Sequence, residues 1–543
     1  MGGHQAAGTD RPGGQRQKGA VMTAWRTRPT RQVQALREDL HAARYTVDHL
    51  TELLGPEAIA AMGREQVVPA VRRARTCTAP AAVLARLFVL GDQVTPAEVA
   101  AALPRCAEDA AELGLLAATP GGTVRALLDL RPVDLGTGPL HLAADLGEAT
   151  TGRAVQADHV LGLGGASRTL AELTVPTPAA RALDLGTGSG VQALALAGRC
   201  ATVTATDIST RALEYAALNA DLNGARLDLR AGSMLEPVAG ETFDLIVSNP
   251  PFVITPRAEG ALPAYTYRDA GGTGDAMAEA LVTGLGAHLA PGGVAQLLLN
   301  WEVHDVADPF ARVRDWCARS GLDAWVVGRE VADPCEYAET WLRDGGITPD
   351  RDRQAWDRGY AAWLEDFQIR GVHGVGFGYL TLHRPAGPGD RPAGPGDRPA
   401  GPAGQWLRAE EVTGPLPGPL GPAVAATLTA KDALAGLDDA ALAALPLTVA
   451  PDVTEERHYR PGSAHPEVIV LHQGGGFGRS VRADTALAAV VGASDGELTP
   501  AQAAAGVAVL TDTAPEAVLE SVIADIRGLV LDGFLHLPGY REE

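Results

Sequence analysis

Asn249-Pro250-Pro251-Phe252 closes an apolar run, Phe243-Asp244-Leu245-Ile246-Val247-Ser248, whose length and residue types predict a buried strand. An amide, two imino acids and a ring at a strand tip can grip another NH₂ group. The Asn249 carboxamide oxygen and the Pro250 carbonyl can each accept a hydrogen bond from it. The prolines fix the turn and remove a competing N–H donor. Phe252 offers a flat face for stacking. The lone pair of an amide or nucleobase nitrogen is delocalised and weakly nucleophilic. Held by two acceptors, that nitrogen is drawn toward tetrahedral geometry and its lone pair acquires a direction. No strong base is required, because the alkylated nitrogen sheds its proton readily. Catalysis of this kind is positioning and electrostatics.

Some sixty residues earlier, Asp184-Leu185-Gly186-Thr187-Gly188-Ser189-Gly190 also closes a short apolar strand and opens a helix. Val191 breaks the dinucleotide fingerprint, and no Lys-Ser/Thr follows to make a P-loop. Such glycines let a ligand approach the backbone where a Cβ would obstruct it. A tight strand-to-helix turn without a ligand fits the same letters. Asp207 ends the next strand-like run, 201–206. A carboxylate there can accept from both hydroxyls of a ribose, and it can also cap the helix opening at Ser209-Thr210. The amine clamp argues against hydride transfer and for delivery of a methyl group to a planar nitrogen.

These tips need a scaffold of strands alternating with helices. Candidate strands at 182–185, 201–206, 226–230, 243–248, 294–299, 324–328 and 376–382 predict a parallel α/β sheet over residues 151–384. Before it, residues 22–150 read as helices followed by a β-wing. Thr95-Pro96 is a helix start, a further helix ends at Leu113-Gly114, and a strand pattern covers 123–128. After it, Arg384-Pro385-Ala386-Gly387-Pro388-Gly389-Asp390 repeats nearly verbatim, so residues 385–422 read as a Pro/Gly-rich linker. Residues 423–543 form an Ala/Leu-rich third unit with a second winged-helix-like ending. Its Gly474-Gly475-Gly476-Phe477-Gly478 run reads as a hairpin turn.

At this point the residues resemble the class I S-adenosylmethionine-dependent methyltransferases, in the amino-methylating branch with an Asn-Pro-Pro-aromatic motif. That branch includes the HemK-like release-factor glutamine methyltransferases and the rRNA, tRNA and DNA amino-methyltransferases. The likeness covers roughly residues 155–384. It implies an α/β, Rossmann-like, seven-stranded methyltransferase core whose last hairpin is reversed, here with mainly helical flanks of an actinobacterial type. It assigns Asp184, Gly186 and Gly188 to the methionyl part of S-adenosyl-L-methionine and Asp207 to its ribose, and counts Thr187, Gly190 and Ile208 with them as cofactor-binding. Ser233 stands where much of the branch has an Asp on the adenine amine, and the Met234 backbone can share that contact. Asn249 serves both cofactor and target, with Pro250, Pro251 and Phe252 completing the catalytic tip. Two flanking stretches, 161–167 and 267–272, are expected beside the cofactor and target pockets. Trp301 is either a pocket wall or a core side chain.

Composition narrows the classes. The chain has 543 residues and a net charge of −21. Residues 1–150 carry equal numbers of basic and acidic side chains, so the acidity lies beyond them. A chain this acidic does not grip phosphate backbones over its whole surface. The run Arg72, Arg73, Arg75 reads as a solvated helix edge. No apolar run reaches membrane-spanning length, and residues 1–21 read as a tail (or Met22 as the start) without a secretory core. Five scattered cysteines point to a reducing cytoplasm, with no metal site. The expected partner is a protein such as a release factor, or RNA or DNA, with a small molecule third. The rival class is a winged-helix regulator that only senses the cofactor.

Overall fold

The computed structural model describes residues 30–64, 66–152, 155–256, 273–386 and 404–539. Its centre is one eight-stranded sheet: β1 Ala179–Leu185, β2 Cys200–Asp207, β3 Asp228–Ala231, β4 Phe243–Ser248, β5 Leu289–Val303, β6 Asp323–Ala332, β7 Gly374–His383 and β8 Leu407–Glu411. The strands lie in the order β8-β6-β7-β5-β4-β1-β2-β3. β7 runs antiparallel to both β5 and β6, and the other pairings are parallel. The order reverses between β1 and β4, which opens a crevice at their carboxyl ends. The central strands are apolar on both faces because helices cover both. They include α1 Gly165–Leu173, α2 Val191–Ala197, α3 Thr210–Asn223, α4 Ala276–Gly284 and α5 Ala311–Ser320.

The sheet has eight strands where seven were expected, and the added one comes from the segment read as a linker. Leu407–Glu411 pairs in parallel with 324–328 of β6. Glu410 is fixed there by the Arg479 guanidinium at 2.6 and 2.7 Å and by the Trp325 indole N–H at 2.6 Å. Helix α8, Leu420–Leu434, follows at once. A Cβ on its Gly421 would lie 2.3 Å from the Thr174 carbonyl oxygen, so α8 is packed hard against the end of α1. The Lys431 ammonium sits beside His383 and is the counter-charge of the Asp323 and Asp432 carboxylates. Within 385–422, residues 407–411 and 420–422 thus belong to the folded elements.

The amino-terminal unit holds helices from Thr30 to Ala102 and a hairpin pairing Leu116–Ala118 with Val124–Ala126. Residues 104–114, where a helix was expected, run as turns. Arg75 pairs with Asp92 and Arg73 donates to the Leu53 carbonyl, as befits an exposed helix edge. A second hairpin, Asp129–Asp134 with Pro139–Ala144, is joined to α3 by two asparagines. Asn219 bonds both the N–H and the carbonyl of Ala143, and Asn223 does the same for His141. Ala212, Tyr215, Leu218 and Leu222 of α3 belong to the amino-terminal hydrophobic core. The break expected at residue 150 is thus bridged by shared packing. In the third unit, Val468–Gln473 pairs with Ser480–Ala483 around the glycine run, a hairpin as expected. Among the described residues, no helix is long and apolar enough to cross a membrane.

Candidate functional site

Three neighbouring strands deliver the motif residues to one edge of the crevice. Leu185 is opposite Thr206 on one side and Ser248 on the other. Gly186, Asp207 and Asn249 are therefore the residues that follow this rung at three adjacent strand ends, which lie about 5 Å apart. The Ser248 hydroxyl donates to the Leu185 carbonyl at 2.8 Å and ties β4 to the central β1.

The glycine turn is built for open backbone. Gly186 and Gly188 have φ of 73° and 56°, and nothing lies within 4 Å of where a Cβ would stand on either. Gly190 has φ 87°, but a Cβ there would come 3.2 Å from the Cα and Cβ of Ala216. Gly190 is small so that α2 can pack on α3; Gly186 and Gly188 face free space. The N–H groups of Gly186 and Thr187 both donate to the Thr206 carbonyl at 2.9 Å. The Gly188 N–H donates to Asp207 Oδ2 at 2.9 Å, and the Ser209 N–H to Oδ1 at 2.8 Å. Burial raises the Asp207 carboxyl, against the pull of these backbone donors. Beside it, Ile208 is 64% exposed. The Gly232 N–H donates to the Asp207 carbonyl at 3.1 Å, bringing Ser233 and Met234 (φ 48°) to the same edge, both half-buried. The Leu161 carbonyl accepts from the Ser189 hydroxyl at 2.7 Å, so the stretch at 161–167 does reach the turn. The stretch at 267–272 lies outside the described residues.

Asp184 is a buried brace. Its Oδ2 accepts from the Thr187 hydroxyl at 2.6 Å and from the Ala193 N–H at 3.0 Å. Burial pushes the carboxyl up to about 7; the two donors oppose this and the charge of Asp207 adds to it. Between about pH 4 and pH 7 the native protein then holds a proton that the unfolded chain has lost, so this group's contribution to stability declines as pH rises through that window. In Asp184→Asn the dependence disappears. Relative to wild type, the variant gains on the order of 2–4 kcal/mol in unfolding free energy between pH 4 and 8. Urea melts at both pH values measure this, and parallel curves for the two proteins would refute it.

Asn249 is half-buried, and its Oδ1 is buried with no hydrogen-bond partner among the described residues. Pro250 is buried, while Pro251 and Phe252 are half-buried. Phe252 meets Trp341 edge-on at 6.4 Å. Trp301, left open between pocket and core, belongs to the core. It is 0% exposed, donates to the Pro309 carbonyl at 2.7 Å, and fills the space left by Gly376 and Gly378 across the ladder. The sequence reading missed the wall behind Phe252. Two helices between β6 and β7, α6 Pro334–Asp344 and α7 Arg353–Arg370, pack Tyr337, Trp363 and Phe367 against Val253 and Ile254. The spacing of Trp356, Tyr360, Trp363 and Phe367 is helical and could have announced α7.

The backbone cradle and the orphan acceptor fit the adenosyl ligand and amine that the motifs imply. Residues 162–264, which span β1 to β4, match the model of the methyltransferase small domain, and residues 42–127 match a domain of unknown function (DUF7059). The chain is 41% identical over 157 residues to a release factor glutamine methyltransferase of Xylella fastidiosa, covering 26% of this chain and 53% of the relative. It is 46% identical over 92 residues to a ribosomal protein uL3 glutamine methyltransferase of Bordetella pertussis, covering 16% and 30%. The chain spans about half the length, or less, of these curated relatives. Among solved structures, it aligns with a Thermus thermophilus 16S rRNA N2 G1207 methyltransferase in complex with AdoMet and guanosine. That alignment has 19% identity, a TM-score of 0.25, and covers 41% of this chain and 63% of the other. The expected Rossmann-like α/β core is borne out by the strand order and by the family match over residues 162–264.

Proposed function

We propose that this chain transfers the methyl group of S-adenosylmethionine to a planar amide nitrogen, and that the acceptor is a glutamine side chain in a protein. The orphan Oδ1 of Asn249 carries this assignment. A buried acceptor without a donor costs about 1–3 kcal/mol, and such groups persist where a ligand completes them. A cofactor sensor has no use for it. The names of the relatives favour glutamine over a nucleobase amine, and the chain's acidity suits a protein partner better than a phosphate backbone. None of the five cysteines forms a disulfide, which suits the cytoplasm, where protein synthesis supplies such partners.

When bound, S-adenosylmethionine supplies an electrophilic sulfonium methyl. Gly186, Thr187 and Gly188 would present backbone to its methionyl part, with Gly190 seating α2 behind them and Asp184 bracing the turn from below. Asp207 accepts from its ribose hydroxyls, Ile208 covers one adenine face, and Ser233 with Met234 meets the adenine edge. Asn249 Oδ1 and the Pro250 carbonyl accept the two N–H bonds of the acceptor amide. Both acceptors are shielded from water, which strengthens their hold. Pro251 stiffens the turn and Phe252 flanks the amide plane. The nitrogen's lone pair is left facing the cofactor side of the crevice, and its proton departs to water after transfer.

The test is label transfer. Full-length protein with methyl-labelled S-adenosylmethionine is incubated with fractions of a bacterial lysate. Label is expected in the protein fraction, on a glutamine located by mass spectrometry. Label in tRNA, rRNA or DNA would move the acceptor to a nucleobase. Tight cofactor binding with no label in any fraction would establish the sensor reading.

A further inference from the structure

Resting on the amide-methylating activity proposed above, we infer that Tyr337 is a positioning residue for the acceptor. Its hydroxyl, carried by the helical insertion between β6 and β7, clamps the backbone of the Asn249 loop. Tyr337 is 0% exposed. Its Oη accepts the Ile254 N–H at 3.0 Å, and the Asn300 side-chain amide of β5 lies 3.5 Å away. The ring is gripped by Trp341, Trp363, Phe367 and Phe377, with centroids at 6.0, 5.4, 5.8 and 5.6 Å. A ring packed this way on four sides has little freedom, so its hydroxyl is a fixed point.

The loop needs such a point. β4 ends its ladder at Ser248, and the next residues leave the sheet. Pro250 and Pro251 have no N–H with which to hold the loop. Asn249 is thus strung between two anchors, the Ser248 hydroxyl on Leu185 and the Ile254 N–H on Tyr337. The first anchor belongs to the sheet that carries the cofactor turn. The second belongs to the insertion that forms the aromatic wall beside Phe252. The distance between cofactor and acceptor grip is therefore set jointly by both. Misplacing a reacting group by about 1 Å can cost about a hundredfold in rate.

Tyr337→Phe removes the hydroxyl and keeps the ring. The expected result is a 10- to 100-fold fall in kcat for transfer to a glutamine-bearing acceptor. The acceptor KM should stay within about threefold and the cofactor Kd within about twofold, since neither the turn nor Phe252 is touched. Hydrogen exchange read by mass spectrometry should show faster exchange at the Ile254 amide. A purely structural tyrosine would raise exchange and lower the melting temperature but leave kcat of the folded enzyme alone. A kcat within twofold of wild type therefore overturns the proposal. If Tyr337→Phe does not fold, 3-fluorotyrosine at 337 keeps the shape and weakens the acceptor oxygen. It should lower kcat several-fold, and an unchanged kcat again overturns the role. Wild-type transfer is the control: an inactive wild type refutes the amide-methylating activity itself, whereas equal activity in wild type and variant refutes only the clamp.

Discussion

Asn249→Ala is expected to lower kcat for methyl transfer about a thousandfold and to leave the cofactor Kd within about threefold. One preorganised polar group aimed at the reacting centre is worth about 10²–10³ in rate. In the proposed function Asn249 Oδ1 is such a group; it is buried and, among the described residues, without a donor. Its neighbours on the ladder hold it there whether or not an acceptor is present, since the Ser248 hydroxyl is already spent on Leu185. The effect should fall on kcat, because the lone pair is directed only when both acceptors engage the nitrogen. Stability should move the other way or not at all. Deleting an unsatisfied buried oxygen relieves a penalty of about 1–3 kcal/mol, which offsets the lost packing of a small side chain. A steady-state titration of acceptor and cofactor, with a thermal melt beside it, checks all three. A variant that keeps a tenth of wild-type kcat would mean that the carboxamide does not grip the nitrogen.

The strand tips were legible because a buried parallel strand leaves a simple mark: a short β-branched or apolar run, cut off by Gly, Asp or Asn-Pro. β1, β2 and β4 carry that mark within a residue or three of their observed ends. β8 does not. Leu407–Glu411 reads Leu-Arg-Ala-Glu-Glu, with three charges in five residues. Backbone pairing with β6 and the ion pairs of Glu410 and Arg408 hold it at the sheet edge, and neither leaves a hydropathy signal. Trp301 was ambiguous for a related reason. A large ring near a strand end can face a ligand or the core, and the choice was made across the ladder by Gly376, its direct partner. Tyr337 was invisible because its meaning lies 83 residues away, at Ile254. Sequence periodicity shows that a ring sits on a helix; it does not show which loop the helix leans on. The packing across residue 150 was hidden for the same reason, since Asn219 and Asn223 on α3 look like surface residues until the hairpin they bond is in place.

Asp207→Ala should weaken S-adenosylmethionine about a hundredfold in Kd and abolish the rise in melting temperature that the cofactor gives the wild type. The carboxylate has one job in the structure and a second in the proposed function. It organises the turn, through the Gly188 and Ser209 N–H groups at 2.9 and 2.8 Å. It also keeps lone pairs for donors on the crevice side, where the ribose hydroxyls would come. Hydrogen bonds to a charged group contribute about 1.5–3 kcal/mol each, so losing the ribose contacts alone accounts for a hundredfold. Asp207→Asn separates the jobs. Its single carbonyl oxygen can serve the turn or the ribose, and its NH₂ faces either a backbone N–H or a hydroxyl. The loss should be intermediate, about tenfold, because a hydroxyl can rotate to accept where a backbone N–H cannot. Calorimetric titration of the three proteins gives the ranking. If Ala and Asn bind as wild type does, the ribose lies elsewhere, and Asp207 is only the brace of Gly188 and the cap of α3.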